Sequence, residues 1–304
     1  MKQALIYKLL SILSTLTGKF FLYITPSENN QLGMTAVQDK QGVWYVGNVY
    51  DKNDITYGIA QNGHTEANET DLLNVILPLI TPDSGDLSFY DVGANIGYYG
   101  LLAAKAYGAT VESFEPLSEY SDCIKKSSNI NGISDHFRIH KLALSDKKDV
   151  VEFTKAGSGS SLEKDFNELP DLEKISVPTD TLDNIYKEKN LAKPDFIKID
   201  VEGHEFSTLK GGEKTINESK PVIFLELCST LKDIGRSYVN PYYKDTITFF
   251  IKNNYEIYCI REKKQLEKWS GKKTINKAGM FLCLEKNKHN SIKERLFSTY
   301  KIID

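Results

Sequence analysis

Phe89 to Ala104 reads FYDVGANIGYYGLLAA. An apolar run ends at Asp91, Gly93 and Gly97 follow, and a stretch of small and apolar residues continues from Tyr98. This is the pattern of a strand, a tight turn and a helix. Glycine lets a backbone turn sharply and approach a ligand, and the helix N-terminus behind it offers unpaired N–H groups. A dinucleotide fingerprint reads G-x-G-x-x-G. Here Asn95 stands between the glycines as G-x-N-x-G, and a carboxylate precedes the first of them.

Working outward, strand and helix patterns alternate. LSFYDV (87–92), TVESFEP (110–116), HFRIHKLAL (136–144), DFIKID (195–200) and PVIFLEL (221–227) read as five strands. Helical patterns lie between them, one of them starting at Ser118 as cap and stopping at Gly132. VVEFT and ISVPT form an inserted strand pair around a Gly157–Ser161 loop, and YEIYCI and GMFLCLE close the sheet after a further helix. Upstream, GVWYVGNVY and ITYGIAQ flank the polar turn Asp51–Asp54 and read as a β-hairpin. ANETDLLNVILPLI then reads as a helix capped near Asn68. Such alternation implies a doubly wound α/β fold with a mostly parallel sheet. Ligands then bind outside the carboxyl ends of the strands, so the residues following each strand are the candidates.

After the first strand stand Asp91, Gly93, Asn95 and Gly97. The Asp91 carboxylate repels a pyrophosphate and attracts a cationic ligand. S-adenosylmethionine, which carries an ammonium and a sulfonium, meets that condition. After the second strand comes Glu115, about twenty residues beyond the glycine turn, where nucleotide-binding α/β folds place an acid on ribose hydroxyls. After the third come Ala143 and Leu144, either an apolar wall for adenine or ordinary packing. After the fourth, FIKIDVEGHEFSTLKGG (196–212) supplies Asp200, Glu202 and His204, candidates in that order for a base, while Glu205 begins the next helix. A metal held by Asp200, Glu202 and His204 is the alternative to a direct base role, but their spacing matches no strong ligand motif, and no metal is expected. Glu226 follows the fifth strand, and Arg236, Tyr238, Tyr242 and Tyr243 lie on the loop after it. These side chains either contact an acceptor or cover the core.

The 304 residues carry a net charge of −3, with 40% hydrophobic and 26% charged residues, the balance of a soluble globular protein. No basic excess points to nucleic acid. Cys123, Cys228, Cys259 and Cys283 form no CxxC pair and read as free, mostly buried thiols of a reducing cytoplasm rather than a zinc site. In residues 4–24, Lys8, Ser11, Thr15 and Lys19 share one helical face, with Leu5, Leu9, Ile12, Leu13 and Leu16 opposite. That is an amphipathic helix and not a membrane span. Its first reading is packing on its own domain; the second is a peripheral helix with lysines toward anionic head groups. Residues 1–63 are expected as an N-terminal extension, 64–290 as the main domain and 291–304 as a tail.

The ordered set FYDVGANIGYYGLLAA, ESFEP, LALSD, GSGSSL, TDTLDNI, FIKIDVEGHEFSTLKGG and PVIFLEL resembles the successive blocks of the FkbM-type methyltransferases, a branch of the class I S-adenosylmethionine-dependent enzymes. It covers about Glu66 to Leu227. The resemblance implies a seven-stranded sheet of order 3-2-1-4-5-7-6 with the last strand antiparallel. It also implies methyl transfer, usually to a hydroxyl of a sugar or secondary metabolite, so the expected partner is a small-molecule or glycan acceptor. In that pattern the acids of D-V-E-G-x-E recur and the position of His204 varies. Two rival readings remain, a nicotinamide-dependent oxidoreductase and a non-catalytic glycan-binding module.

Overall fold

The computed structural model describes residues 23–24, 35–82, 84–163, 166, 171–262 and 264–303. Nine strands form one mixed sheet. Five of them are mutually parallel: β4 (Ser88–Val92), β5 (Thr110–Phe114), β6 (Phe137–His140), β10 (Phe196–Ile199) and β11 (Val222–Leu227). Beyond β11 come β14 (Gly279–Glu285), antiparallel to both neighbours, then β12 (Tyr255–Arg261), β13 (Gln265–Trp269) and β15 (Lys301–Ile303). The seven-strand expectation is thus corrected: β13 and β15 widen the sheet at the β12 edge.

Two apolar layers sandwich this sheet. Side chains alternate along each strand, so in β10 Phe196 enters one layer while Ile197 and Ile199 enter the other. The first layer is built with α2 (Ala67–Ile80), α3 (Tyr98–Tyr107), α4 (Ser118–Asn131) and α9 (Asn290–Thr299). The second uses α5 (Leu182–Glu188), α6 (Glu205–Gly211), α7 (Glu213–Ser219) and α8 (Tyr243–Lys252). Close packing of α3 on the sheet depends on Gly100, where a Cβ would come within 2.9 Å of the Asp91 carboxylate.

The hairpin expected over residues 42–61 is corrected. β3 (Trp44–Gly47) pairs instead with β2 (Thr35–Gln38), which also pairs with β1 (Tyr23–Ile24). Ile55–Asn62 is a helix, α1, with Asp54 accepting from Thr56 N–H at its start and Gly63 left-handed at its end. Local capping outweighs the strand propensity of ITYGI. The free edge of β3 is covered by α4. Asn131 accepts from Trp44 N–H at 3.0 Å and donates to Trp44 O at 2.7 Å, and Ser127 Oγ accepts from Val46 N–H at 2.9 Å. Paired in this way, the edge cannot recruit another chain.

Two expected caps are also corrected. Glu66, left-handed at φ 44°, and not Asn68, precedes α2; Leu117 precedes α4, so Ser118 is its first helical residue. The third strand stops at His140, and β7 (Ala143–Leu144) leaves the main sheet to join β9 (Lys174–Asp180) and β8 (Asp149–Thr154). The expected helix over residues 4–24 lies outside the described residues, except Tyr23 and Ile24, which are in β1. All four cysteines are free and buried, as expected. Among the described residues no helix is long and apolar enough to cross a membrane.

Candidate functional site

A cavity of about 290 Å³ opens at the carboxyl ends of β4, β5, β10 and β11. One wall is a backbone turn. Gly93, at φ 68°, lies so close to the end of β10 that a Cβ there would fall 1.8 Å from Asp200 O. Gly93 and Ala94 N–H both donate to Phe114 O. Asn95 is left-handed at φ 51°, its side chain accepting from Ile96 N–H and its own N–H donating to Glu115 Oε2 at 2.9 Å. The other oxygen of Glu115 accepts from Leu117 N–H at 2.8 Å. A carboxylate offers about four lone pairs, so Glu115 keeps acceptor capacity beyond these two bonds. Burial pushes its carboxyl up to about 7, against those two backbone bonds, which lower it. Phe114, Leu117, Ala143 and Leu144 supply the apolar surface beside it.

The opposite wall is acidic. Asp200, Glu202 and Glu226 present carboxylate oxygens that all lie within 4.8 Å of one another, near enough to share a divalent cation. A hydrogen bond joins the carboxyl groups of Glu226 and Asp200. Burial first, and then the charge of Asp200, drive both Glu202 and Glu226 well above the usual carboxylate range. Glu202 is left-handed at φ 52°, a conformation a non-glycine residue keeps only where its surroundings enforce it. Ser161 Oγ contributes by donating to Glu202 O at 2.6 Å. Glu202 and Glu226 also line a second pocket of about 240 Å³, whose further walls include Asn53, Ser158, Phe166 and Arg236. The two acids therefore stand where the pockets meet.

Among the expected site residues, Gly93, Asn95, Glu115, Ala143, Leu144, Asp200, Glu202 and Glu226 line the cavity. Gly97 precedes α3 as its cap. Asp91 lies beneath the turn, accepting from Gly100 N–H at 3.1 Å; burial raises it to about 6. His204 faces away from the cavity. Its Nε2 meets Ser145 Oγ at 3.0 Å and its Nδ1 meets Glu163 Oε1 at 2.6 Å. Arg236 reaches the second pocket, where its charge acts on Glu202. Tyr238 is buried edge-on against Phe166 and Tyr243 is buried with Trp269 donating to its hydroxyl, so both belong to the core. Tyr242 is exposed and stacks on Phe206.

Sequence reasoning passed over Lys198. It sits in an apolar run between Ile197 and Ile199 and is buried. Its Nζ donates to Gly93 O at 2.6 Å and faces Asp200 at 3.3 Å and Asp91 at 3.8 Å. Burial alone would lower the ammonium's pKa, but Asp200, Asp91 and Glu66 together raise it above its ordinary value. A lysine inside an otherwise apolar central strand is the signal that could have found it, because a buried charge needs partners.

The family model described as the methyltransferase FkbM domain matches residues 91–257, more than half of the chain. Among solved structures, a methyltransferase FkbM from Methylobacillus flagellatus KT is 18% identical with a TM-score of 0.41. The alignment covers 66% of this chain and 44% of that one, so this chain spans less than half the length of that relative. An S-adenosylmethionine-dependent methyltransferase from Agrobacterium tumefaciens is 13% identical with a TM-score of 0.45, over 86% of this chain and 72% of that one. No curated protein matches the sequence. With the glycine turn, Glu115 and the acids after β10 all inside the matched residues, the chain belongs to the FkbM methyltransferase family.

Proposed function

We propose that the chain transfers a methyl group from S-adenosylmethionine to a hydroxyl of a sugar, glycan or secondary metabolite. The observation that carries this reading is the junction of the two pockets, where a cavity with one nucleotide-type wall meets a cluster of carboxylates. Five acids line that cavity, Glu66, Glu115, Asp200, Glu202 and Glu226, against the single ammonium of Lys198 among the described residues. A cation bound among these buried carboxyls would favour their ionised form, so the cluster suits a cationic ligand. Glu115 fits the ribose and the Ala143–Leu144 surface fits the adenine, while the turn over Gly93 lets the backbone approach. When bound, S-adenosylmethionine supplies a sulfonium methyl open to in-line displacement.

The chain's own work is to orient the acceptor and take its proton. Holding the hydroxyl in line accounts for much of the rate of such a reaction, and a base adds roughly 10²–10⁴-fold. Of the candidates, Glu202 touches both pockets, and burial and the charge of Asp200 raise its carboxyl well above the usual carboxylate range, so its conjugate base is stronger than an ordinary carboxylate. Asp200 is held between Lys198 and Glu226 and orients the cluster. His204 has both ring nitrogens engaged elsewhere. Arg236, at the far wall of the second pocket, would fix the acceptor.

Incubating the protein with methyl-labelled donor and lysate glycans tests the reading. Base-stable label in the glycan fraction is expected, as an ether would give. Label found only in protein, or released by mild base, would overturn it. Residues 4–22 are proposed to make a peripheral contact between a cytoplasmic enzyme and an anionic membrane surface. Deleting them should abolish co-sedimentation with anionic vesicles and leave donor binding intact; a full-length protein that never sediments refutes this.

A further inference from the structure

Lys198 is 4% exposed along its side chain, in a strand at the centre of the sheet. A buried ammonium is costly unless its surroundings answer it, so its contacts reveal its task. On one side it donates to the carbonyl of Gly93, the residue on which the turn pivots. On the other it faces Asp200, the first member of the acid cluster, with Asp91 beneath. The Tyr99 ring lies with its centroid 5.8 Å from Nζ, and the Tyr99 hydroxyl donates in turn to Glu66 at the cavity wall. One fixed charge thus ties the glycine turn to the carboxylates across the cavity.

We propose that Lys198 is a positioning residue that sets both the spacing and the field of this cavity, offsetting the carboxylates so that the cationic donor and its neutral-sulfur product are held with comparable strength. This inference rests on the donor reading above. Carboxylates left unopposed would hold a sulfonium more tightly than a thioether. Binding that is stronger in the ground state than in the transition state raises no rate and slows the chemical step. A lysine anchored by a backbone carbonyl and two carboxylates counters that pull without closing the cavity to the rest of the ligand.

Calorimetric titration of S-adenosylmethionine and S-adenosylhomocysteine into the full chain tests the proposal through a ratio of affinities. In Lys198→Met the preference for S-adenosylmethionine over S-adenosylhomocysteine should rise about tenfold or more, the scale of one partly screened charge at this range. Lys198→Arg, which keeps the charge, should return the ratio close to that of the wild type. Should Lys198→Met fail to fold, Asp91→Asn is compared with the double variant Lys198→Met/Asp91→Asn, in which charges of both signs leave together, and the same tenfold rise is expected between those two. A lysine with a purely structural role would weaken both ligands alike, and an unchanged ratio in folded variants overturns the proposal. Failure of the wild type to bind either ligand would instead overturn the donor reading, and this proposal with it.

Discussion

On its donor side the cavity is walled by backbone: a left-handed Gly93 against Asp200 O, a left-handed Asn95, and N–H groups that end on Phe114 O and Glu115. Across from it the wall is carboxylate, crowded and partly exposed: Asp200 and Glu202 follow β10, Glu226 lies near the end of β11, and the connection after β11 carries Ile234 at 55% exposure. On the proposed methyl transfer, the first wall meets the same donor at every turnover and must keep its shape, while the second takes a particular acceptor and its proton. Rigid, satisfied backbone suits the first task, and closely spaced titratable groups suit the second.

Replacing one glycine on each side should separate them most. Gly93→Ala puts a Cβ 1.8 Å from Asp200 O at a φ of 68°, so both strain and collision act. A loss of about 3 kcal/mol or more, or failure to fold, is expected by urea denaturation. Gly235→Ala shares a positive φ of 76° but meets nothing within 4 Å. It should cost only about 1 kcal/mol. Equal costs would mean that the donor wall is not the rigid one.

Next in size is the base. Glu202→Gln should lower kcat by about 10²-fold while donor affinity changes less than about threefold. A kcat within threefold of the wild type would remove Glu202 from the chemistry and return the role to Asp200. Glu115→Ala should show the opposite profile. Losing a charged acceptor of ribose hydroxyls weakens S-adenosylhomocysteine by about tenfold or more. Because two N–H groups also lose their acceptor, a modest fall in melting temperature should accompany it. Unchanged affinity in a folded variant would refute the ribose assignment.

The donor wall was legible in the sequence because each part has a fixed spacing along one stretch of chain. Asp91 lies near the end of one strand with Gly93, Asn95 and Gly97 after it, Glu115 follows the next strand, and the structure brings Glu115 onto Asn95 N–H. Of the acid wall, Asp200, Glu202, Glu226 and Arg236 were legible one by one as residues after strands, but their meeting was not. Glu226 comes from another strand, and Asn53, Ser158 and Arg236 come from three separate connections. No local pattern announces such a meeting. ITYGIAQ misled because β-branched and aromatic residues suggest a strand, while the capping residues Asp54 and Gly63 at its ends decide for a helix. The β13 and β15 strands escaped because their pairing is with each other and with β12, at a distant edge.

Smaller still is a pH effect on the stability of the acid side. Glu205 is buried at the start of α6, its carboxylate accepting from Gly203 N–H, and burial pushes it up to about 8 from an ordinary 4.5. The folded value lies above the unfolded one, so the folded state binds the extra proton. That stabilisation is complete below about pH 4.5 and is lost as pH rises through about 8. Glu205→Gln keeps the acceptor and removes the titration. Relative to wild type it should therefore gain about 1 kcal/mol or more between pH 5 and pH 8, several degrees in melting temperature. Parallel melting curves for the two proteins across that range would show that Glu205 is not held protonated.

The smallest expected effect belongs to His204, and it decides whether the acid wall ends at Glu202. Both ring nitrogens are engaged, Nε2 with Ser145 Oγ and Nδ1 with Glu163 Oε1, and neither residue lines the cavity. To take a proton from an acceptor, the ring would have to leave both partners and swing across the turn at Gly203. Its contact with Glu163 instead ties down the connection after β8, whose Ser158, Ser160 and Leu162 do line the cavity. His204→Ala should thus leave kcat within about threefold and preserve the acid limb of the rate profile, while the acceptor KM rises a few-fold as that connection loosens. Glu163→Gln, which weakens the same contact from the other end, should reproduce the KM change. If His204→Ala instead removes both the turnover and the acid limb, the imidazole reaches the acceptor during the reaction, and Glu202 is left as an orienting carboxylate.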